Sequence, residues 1–177
     1  MLFARNINSR LRNYVLVAWP KRARILKFFG NLLFNIALNI LNMKKQLLET
    51  LENSKKYTLS VLEAMPETLF NFKPVDTVWD FRELSNHIAY GIRWWNENYV
   101  QGIESSWSPP LSKKHKKEII SELRNAYDAL QMQIENKELT EKAVHGFHAT
   151  LDHITHHRGQ ATIYLRCNGI TPPEYTY

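Results

Sequence analysis

From residue 43 onward, apolar positions recur at helical spacing in four successive stretches. Over residues 43–65, Leu47, Leu48, Leu51, Leu59, Leu62 and Met65 share one side, and Pro66 ends the run. A loop holding Pro74 leads to a second helix predicted over residues 80–102. Asp80 is its N-cap, Glu83 completes a capping box, and Trp79 is placed to staple against Leu84. A linker over 103–112 carries Trp107, Pro109 and Pro110. The third helix, over 112–136, bears Ile120, Leu123, Tyr127, Leu130 and Ile134, the alternating three- and four-residue gaps of a bundle seam. Lysines around His115 oppose the dipole at its start, which favours fraying there. The fourth helix ends near Cys167, before Asn168-Gly169 and Pro172-Pro173. Its start falls between Thr140 and Thr150, since Gly146 interrupts the pattern. No strand alternation competes, so residues 43–177 form an all-α four-helix bundle.

The first 42 residues differ. A basic stretch over 5–27 passes into an apolar run over 25–41, in which Asn31, Asn35, Asn39 and Asn42 share one helical face. The run is short and interrupted for a membrane span, and no small-residue cleavage site marks a secretory signal. Three readings stay open: an interfacial amphipathic anchor, a targeting segment, or upstream sequence read through to a natural start at Met43. The segment is set aside as an extension of the domain over 43–177.

Charge sharpens that division. The chain of 177 residues carries a formal +6, from 23 Lys/Arg against 17 Asp/Glu. Seven of those basic residues and none of the acids fall in residues 1–42, which leaves 16 against 17 in the remainder. The domain is nearly neutral and gives no electrostatic reason to expect nucleic acid. Membrane contact is expected only through residues 1–42. The single cysteine, Cys167, excludes an intrachain disulfide and a cysteine zinc site, and suits a cytoplasmic protein. A metal site here is built from imidazole, with or without carboxylate.

Two of the seven histidines, His153 and His157, stand four residues apart on the fourth helix, one turn apart on one face. Two imidazoles so placed can close on one metal, and a further ligand must come from another helix. His87, on a face of the second helix shared with Leu84, Gly91 and Trp94, points inward and is that candidate. A buried imidazole needs a partner for each nitrogen, and a metal supplies one. The bland readings are a surface accident for the pair and a satisfied core histidine for His87. His156 lies about 60° from His153 on the wheel, away from His157, and reads as a rim residue or outer donor. His115 is solvated among lysines. His145 and His148 flank the start of the fourth helix and stay as alternative ligands. Glu83, one turn before His87, is a fourth ligand or base unless its capping role accounts for it. Trp94 shares the His87 face, while Gln160 and Tyr164 continue the histidine face. All three are expected to line a cavity, and Gly159 to allow close helix approach.

The stretch Asp152-His153-Ile154-Thr155-His156-His157-Arg158-Gly159-Gln160 resembles the last-helix signature of the DinB-like family of damage-inducible proteins. There a histidine, three residues, a second histidine and then a glycine-glutamine pair recur. Val78-Trp79-Asp80-Phe81-Arg82-Glu83-Leu84-Ser85-Asn86-His87 resembles the segment where that family places its third histidine, and Leu165-Arg166-Cys167-Asn168-Gly169-Ile170-Thr171-Pro172-Pro173 resembles its terminus. The resemblance covers residues 43–177. It implies a four-helix bundle with up-down-down-up connections, pairing as a homodimer, and one divalent metal on His87, His153 and His157. It leaves His156 and Arg158 without an assigned role, and it implies a damage-response history rather than DNA binding.

Three neutral imidazoles leave a divalent ion its full charge, so a bound water or thiol ionises readily. Two chemistries follow: a hydrolase acting through metal-activated water, or a transferase acting through the thiolate of a low-molecular-weight thiol. The resemblance includes thiol-dependent transferases. The alternative is a non-catalytic metal-binding or stress-response bundle. Zinc, nickel, iron and copper all suit imidazole. The substrate is expected to be a small molecule, with no catalytic side chain named.

Overall fold

The computed structural model describes the backbone of residues 4–175 and the side chains of residue 24 and residues 26–175. Four helices follow in order: α1 (Ala4–Ala64), α2 (Phe81–Trp95), α3 (Lys116–Asn136) and α4 (Glu141–Cys167). No strand occurs among the described residues, so the chain is all-α. It divides into two compact units, Met1–Met43 and Lys44–Tyr177.

In the first unit the backbone is helical from Ala4, so the helix expected to begin at Met43 has helical backbone upstream of it. The basic side chains at positions 5–22 lie outside the described residues. Leu26, Phe28, Leu33, Phe34 and Leu41 are all exposed. By length and composition Leu26–Ala64 is long and apolar enough to cross a membrane. That stretch includes residues 44–64, however, and there Leu47, Leu51, Leu59, Val61 and Leu62 are buried.

The second unit is the four-helix bundle. Residues 44–64 of α1 reach α3 through Thr58 and Tyr127 (2.9 Å) and through the Lys55–Asp128 ion pair. They reach α4 through Arg158 and Ser54. The carbonyls at the end of α1 are capped across the bundle. The Lys116 ammonium donates to Glu63 O at 2.7 Å and to Met65 O at 2.8 Å. That lysine opens α3, which starts four residues later than the sequence suggests because residues 112–115 are not helical and His115 is extended. Its charge is not simply opposed to its own helix; it satisfies another one. Leu123, Tyr127, Leu130 and Ile134 are buried as the seam requires, but Ile119 rather than Ile120 fills the top position. Each fully buried Leu, Ile or Phe of such a core contributes about 1.5–3 kcal/mol.

α2 packs against both α3 and α4. Its start is held by the expected box: Asp80 Oδ1 accepts from Glu83 N at 2.7 Å and Glu83 Oε2 accepts from Asp80 N at 2.9 Å. The loop before it satisfies two more first-turn donors, Phe81 N to Phe72 O and Arg82 N to Phe70 O. At its far end the helix widens to a π-turn, Asn96–Gln101, closed by Gly102 at φ 74°. α4 begins at Thr140, whose hydroxyl accepts from Ala143 N. Gly146 does not interrupt it. A Cβ there would overlap Tyr99, so glycine is what lets α4 meet the π-turn.

Candidate metal centre

α2 and α4 bring three histidines to one place. His87 comes from the second turn of α2, and His153 and His157 from successive turns of α4. One ring nitrogen of each lies within 4.8 Å of the others, and no further His, Cys, Asp or Glu among the described residues joins the cluster. His87 Nε2 stands 2.9 Å from His153 Nε2 and 3.0 Å from His157 Nε2.

The local sequence explains the convergence. The capped first turn of α2 fixes His87 one turn beyond Glu83. One turn further is Gly91, where α2 has no side chain. A Cβ there would overlap Cε1 of His153 and stand 2.7 Å from its Nδ1. The His153 ring therefore occupies the space that Gly91 leaves. Its Nδ1 is buried and has no hydrogen-bond partner. His157 is held differently: Gln160 Oε1 lies 2.8 Å from its Nδ1, and Gln160 Nε2 lies 3.2 Å from Nε2 of exposed His156. An acceptor at Nδ1 places the ring proton there and leaves the Nε2 lone pair directed at the cluster.

Electrostatics keep the rings neutral. Burial, then the charge of His157, lowers His87 from 6.5 to about 4. Burial first, followed by His157, His87 and His156, lowers His153 from 6.5 to about 3. His157 is also lowered, chiefly by burial, with the Gln160 hydrogen bond acting in the opposite direction. At neutral pH the three rings carry lone pairs rather than charges.

Hydrogen bonding alone does not account for this triangle. A neutral ring nitrogen has either one proton or one lone pair, so His87 Nε2 makes one good hydrogen bond and not two. A metal with arms of about 2.0–2.1 Å holds neighbouring nitrogens roughly 3.0–3.4 Å apart, close to the separations seen. The donor set fits a divalent ion.

Aromatic side chains surround the cluster. Trp79 lies 4.5 Å from His87 and 6.0 Å from His157 between ring centroids, and Trp107 lies 5.4 Å from His87. Tyr164 donates to Trp79 O at 2.6 Å and pins that tryptophan in place. A cavity of about 200 Å³ opens beside His87, bounded by Trp79, Glu83, Tyr90, Arg93 and Lys113. Another of about 280 Å³ opens beside His157, bounded by Trp79, Leu84, Gln160 and Tyr164.

Of the other residues singled out in the sequence, Gln160 and Tyr164 line a cavity, and His156 stands at the rim of the cluster, its ring edge-on to His157 at 4.8 Å between centroids and its Nε2 beside Gln160. Glu83 borders the His87 cavity with its carboxylate engaged in the cap. Trp94 donates its indole N–H to Ser105 O at 3.1 Å and packs on Trp107, so it buttresses the wall without meeting a histidine ring. His145 and His148 are exposed and His115 lies beside Glu67, all outside the cluster. Two wall residues went unrecognised. In the sequence Trp79 has only the pattern of a staple, and Trp107 sits in an irregular linker with no periodicity to betray its direction. Its approach rests on loop hydrogen bonds, Ser108 N to the Tyr90 hydroxyl and Lys113 N to Asn86 Oδ1.

The model of the DinB family matches residues 39–145. His87 lies within that match, and His153 and His157 lie beyond it. The fold is similar to that of the crystal structure of a DinB-like protein from Bacillus cereus, at 18% identity and a TM-score of 0.64, over 75% of this chain and 97% of that one. It is also similar to that of a DinB-like protein from Bacillus subtilis, at 17% identity and a TM-score of 0.58, over 74% and 98%. No curated protein matches the chain.

Proposed function

The chain belongs to the DinB family, and on that premise we propose that it binds one divalent metal ion on His87, His153 and His157 and uses it in catalysis on a small molecule. The observation that carries the reading is the shared approach of two imidazole nitrogens to His87 Nε2, at 2.9 and 3.0 Å. Bound there, an ion supplies a Lewis acid that lowers the pKa of a coordinated water or thiol.

The chain's own residues do the rest. Gln160 holds the Nδ1 proton of His157 and so keeps the opposite nitrogen free to coordinate. Gly91 gives the His153 ring its seat. Trp79 and Trp107 cover His87 and limit the access of water. Three protein ligands with cavities on two sides support a catalytic centre over a closed structural one, since structural zinc sites take four protein ligands. The reaction is that of a hydrolase or of a thiol-dependent S-transferase. The His87-side cavity admits the reactive end of a small substrate between Trp79 and Tyr90, with Arg93 and Lys113 at its rim.

Parallel assays of the zinc- and nickel-loaded protein test this reading. One follows hydrolysis of an activated ester, the other transfer of a low-molecular-weight thiol to an aryl halide. Turnover in either assay that is lost on chelation and restored by metal is the expected result. A metal-loaded protein inert in both favours the non-catalytic metal-binding bundle.

A further inference from the structure

Arg158 follows His157 in the chain but points elsewhere, and the metal centre makes no use of it. Its side chain is only 5% exposed. Guanidinium stays charged at any pH a protein survives, and a buried charge without a counter-ion is costly. Among the described residues no carboxylate pairs with Arg158. Its neighbours are neutral, and all but one lie beyond the ordinary hydrogen-bond distance. Nη1 lies 3.1 Å from Thr58 Oγ1, 3.3 Å from Ser54 Oγ and 3.4 Å from Ser54 O, and Nη2 lies 3.4 Å from Thr155 Oγ1. The Tyr57 ring covers the guanidinium at 4.8 Å, a partial compensation only.

A cavity of about 280 Å³ opens at this group, lined by Arg158 with Thr50, Asn53, Ser54, Leu151, Thr155 and Tyr175. It shares no lining residue with the two cavities at the histidines. Its walls combine hydroxyls, an amide and the guanidinium with the apolar Leu151 and the Tyr175 ring, and no carboxylate side chain is among them. The Asn53 amide makes no other hydrogen bond among the described residues, which leaves two donors beside the cation.

We propose that this cavity between α1 and α4 is a binding site for a small oxyanion, a carboxylate or phosphate group, held by Arg158 with Asn53 and the neighbouring hydroxyls. The planar fork of guanidinium matches both groups. The anion neutralises the buried charge and ties α4 to α1, so binding stabilises the folded chain.

Thermal unfolding of the full chain tests the site. Sodium phosphate and sodium acetate are titrated separately, each against sodium chloride at matched ionic strength. The expected result is a saturable rise of several degrees in Tm with at least one oxyanion and not with chloride; which of the two acts identifies the group preferred. Thr155→Asp places a carboxylate next to Nη2 and keeps Arg158. It is expected to raise the starting Tm and abolish the oxyanion response. Arg158→Gln, where it folds, abolishes the response with a lowered Tm. A wild-type response no greater than that to chloride, or one that persists undiminished in Thr155→Asp, overturns the proposal and leaves Arg158 as a clamp between helices.

Discussion

Gly91 and the His153 imidazole share one space: a Cβ on Gly91 would stand 2.7 Å from Nδ1 of that ring. Two elements, α2 and α4, thus meet at a point where one contributes nothing but backbone. Replacing Gly91 by Ala sets two effects against each other. Alanine favours a helix interior by about 1 kcal/mol, whereas overpacking costs roughly 1–3 kcal/mol. The His153 ring must move in either case. Gly91→Ala is expected to change stability by no more than about 2 kcal/mol while metal affinity falls at least about tenfold. Chemical denaturation and calorimetric titration with zinc measure the two separately. Unchanged affinity means that the ring does not need that seat.

Gln160 touches two histidines and is expected to serve only one of them. Gln160→Ala removes the acceptor at His157 Nδ1 and is expected to weaken metal binding by about 10–100-fold. His156→Ala leaves the His157 contact in place and is expected to have little effect. Competition titrations against a chromogenic chelator compare the two variants. Equal losses contradict the assignment of His157 as the coordinating ring and His156 as its outlying neighbour.

The depressed histidines set the sign of the pH response. Because His87 lies at about 4 and His153 at about 3 when folded, the unfolded chain binds more protons over the window from about 6.5 down to those values. Stability of the metal-free protein therefore falls as pH drops through that window and is fully present above it. Urea midpoints from pH 4 to 8 are expected to show this slope, and His153→Ala to flatten it. A midpoint that rises on acidification contradicts the burial of these rings.

Asp80 anchors the helix that presents His87. Its side chain accepts from Glu83 N at 2.7 Å and binds Arg82 at 2.8 Å. Asp80→Ala is expected to cost about 0.5–2 kcal/mol, measured by thermal unfolding, with a smaller loss of metal affinity as the first turn frays. Stability unchanged within error counts against the cap as what holds that turn.

Much of the bundle was legible because its signals are local. The Asp80–Glu83 box, the Leu123-Tyr127-Leu130-Ile134 seam and the Asn168-Gly169 stop each depend on neighbours within a few residues. So does the projection of His153 and His157 from one face of α4. The signals that failed depend on partners distant in the chain. Whether Gly146 breaks a helix or admits a neighbour turns on Tyr99, more than 40 residues away. Lys116 looks misplaced at a helix start until the α1 carbonyls it caps are in view. Ile119 and Ile120 differ by one position on the wheel, and only the packing of the bundle chooses between them. Trp107 reaches His87 from a linker whose path no periodicity describes. The family signature joined His87 to the pair on α4, and spacing alone could not have done so.

Elemental analysis of the purified, zinc-supplemented protein tests the central claim most directly. The account predicts about one metal ion per chain, and less than about a tenth of that in each of His87→Ala, His153→Ala and His157→Ala, since no further His, Cys, Asp or Glu among the described residues joins the cluster. His148→Ala is expected to keep the full amount. A wild-type chain that takes up no metal, or a full equivalent in any of the three variants, contradicts it.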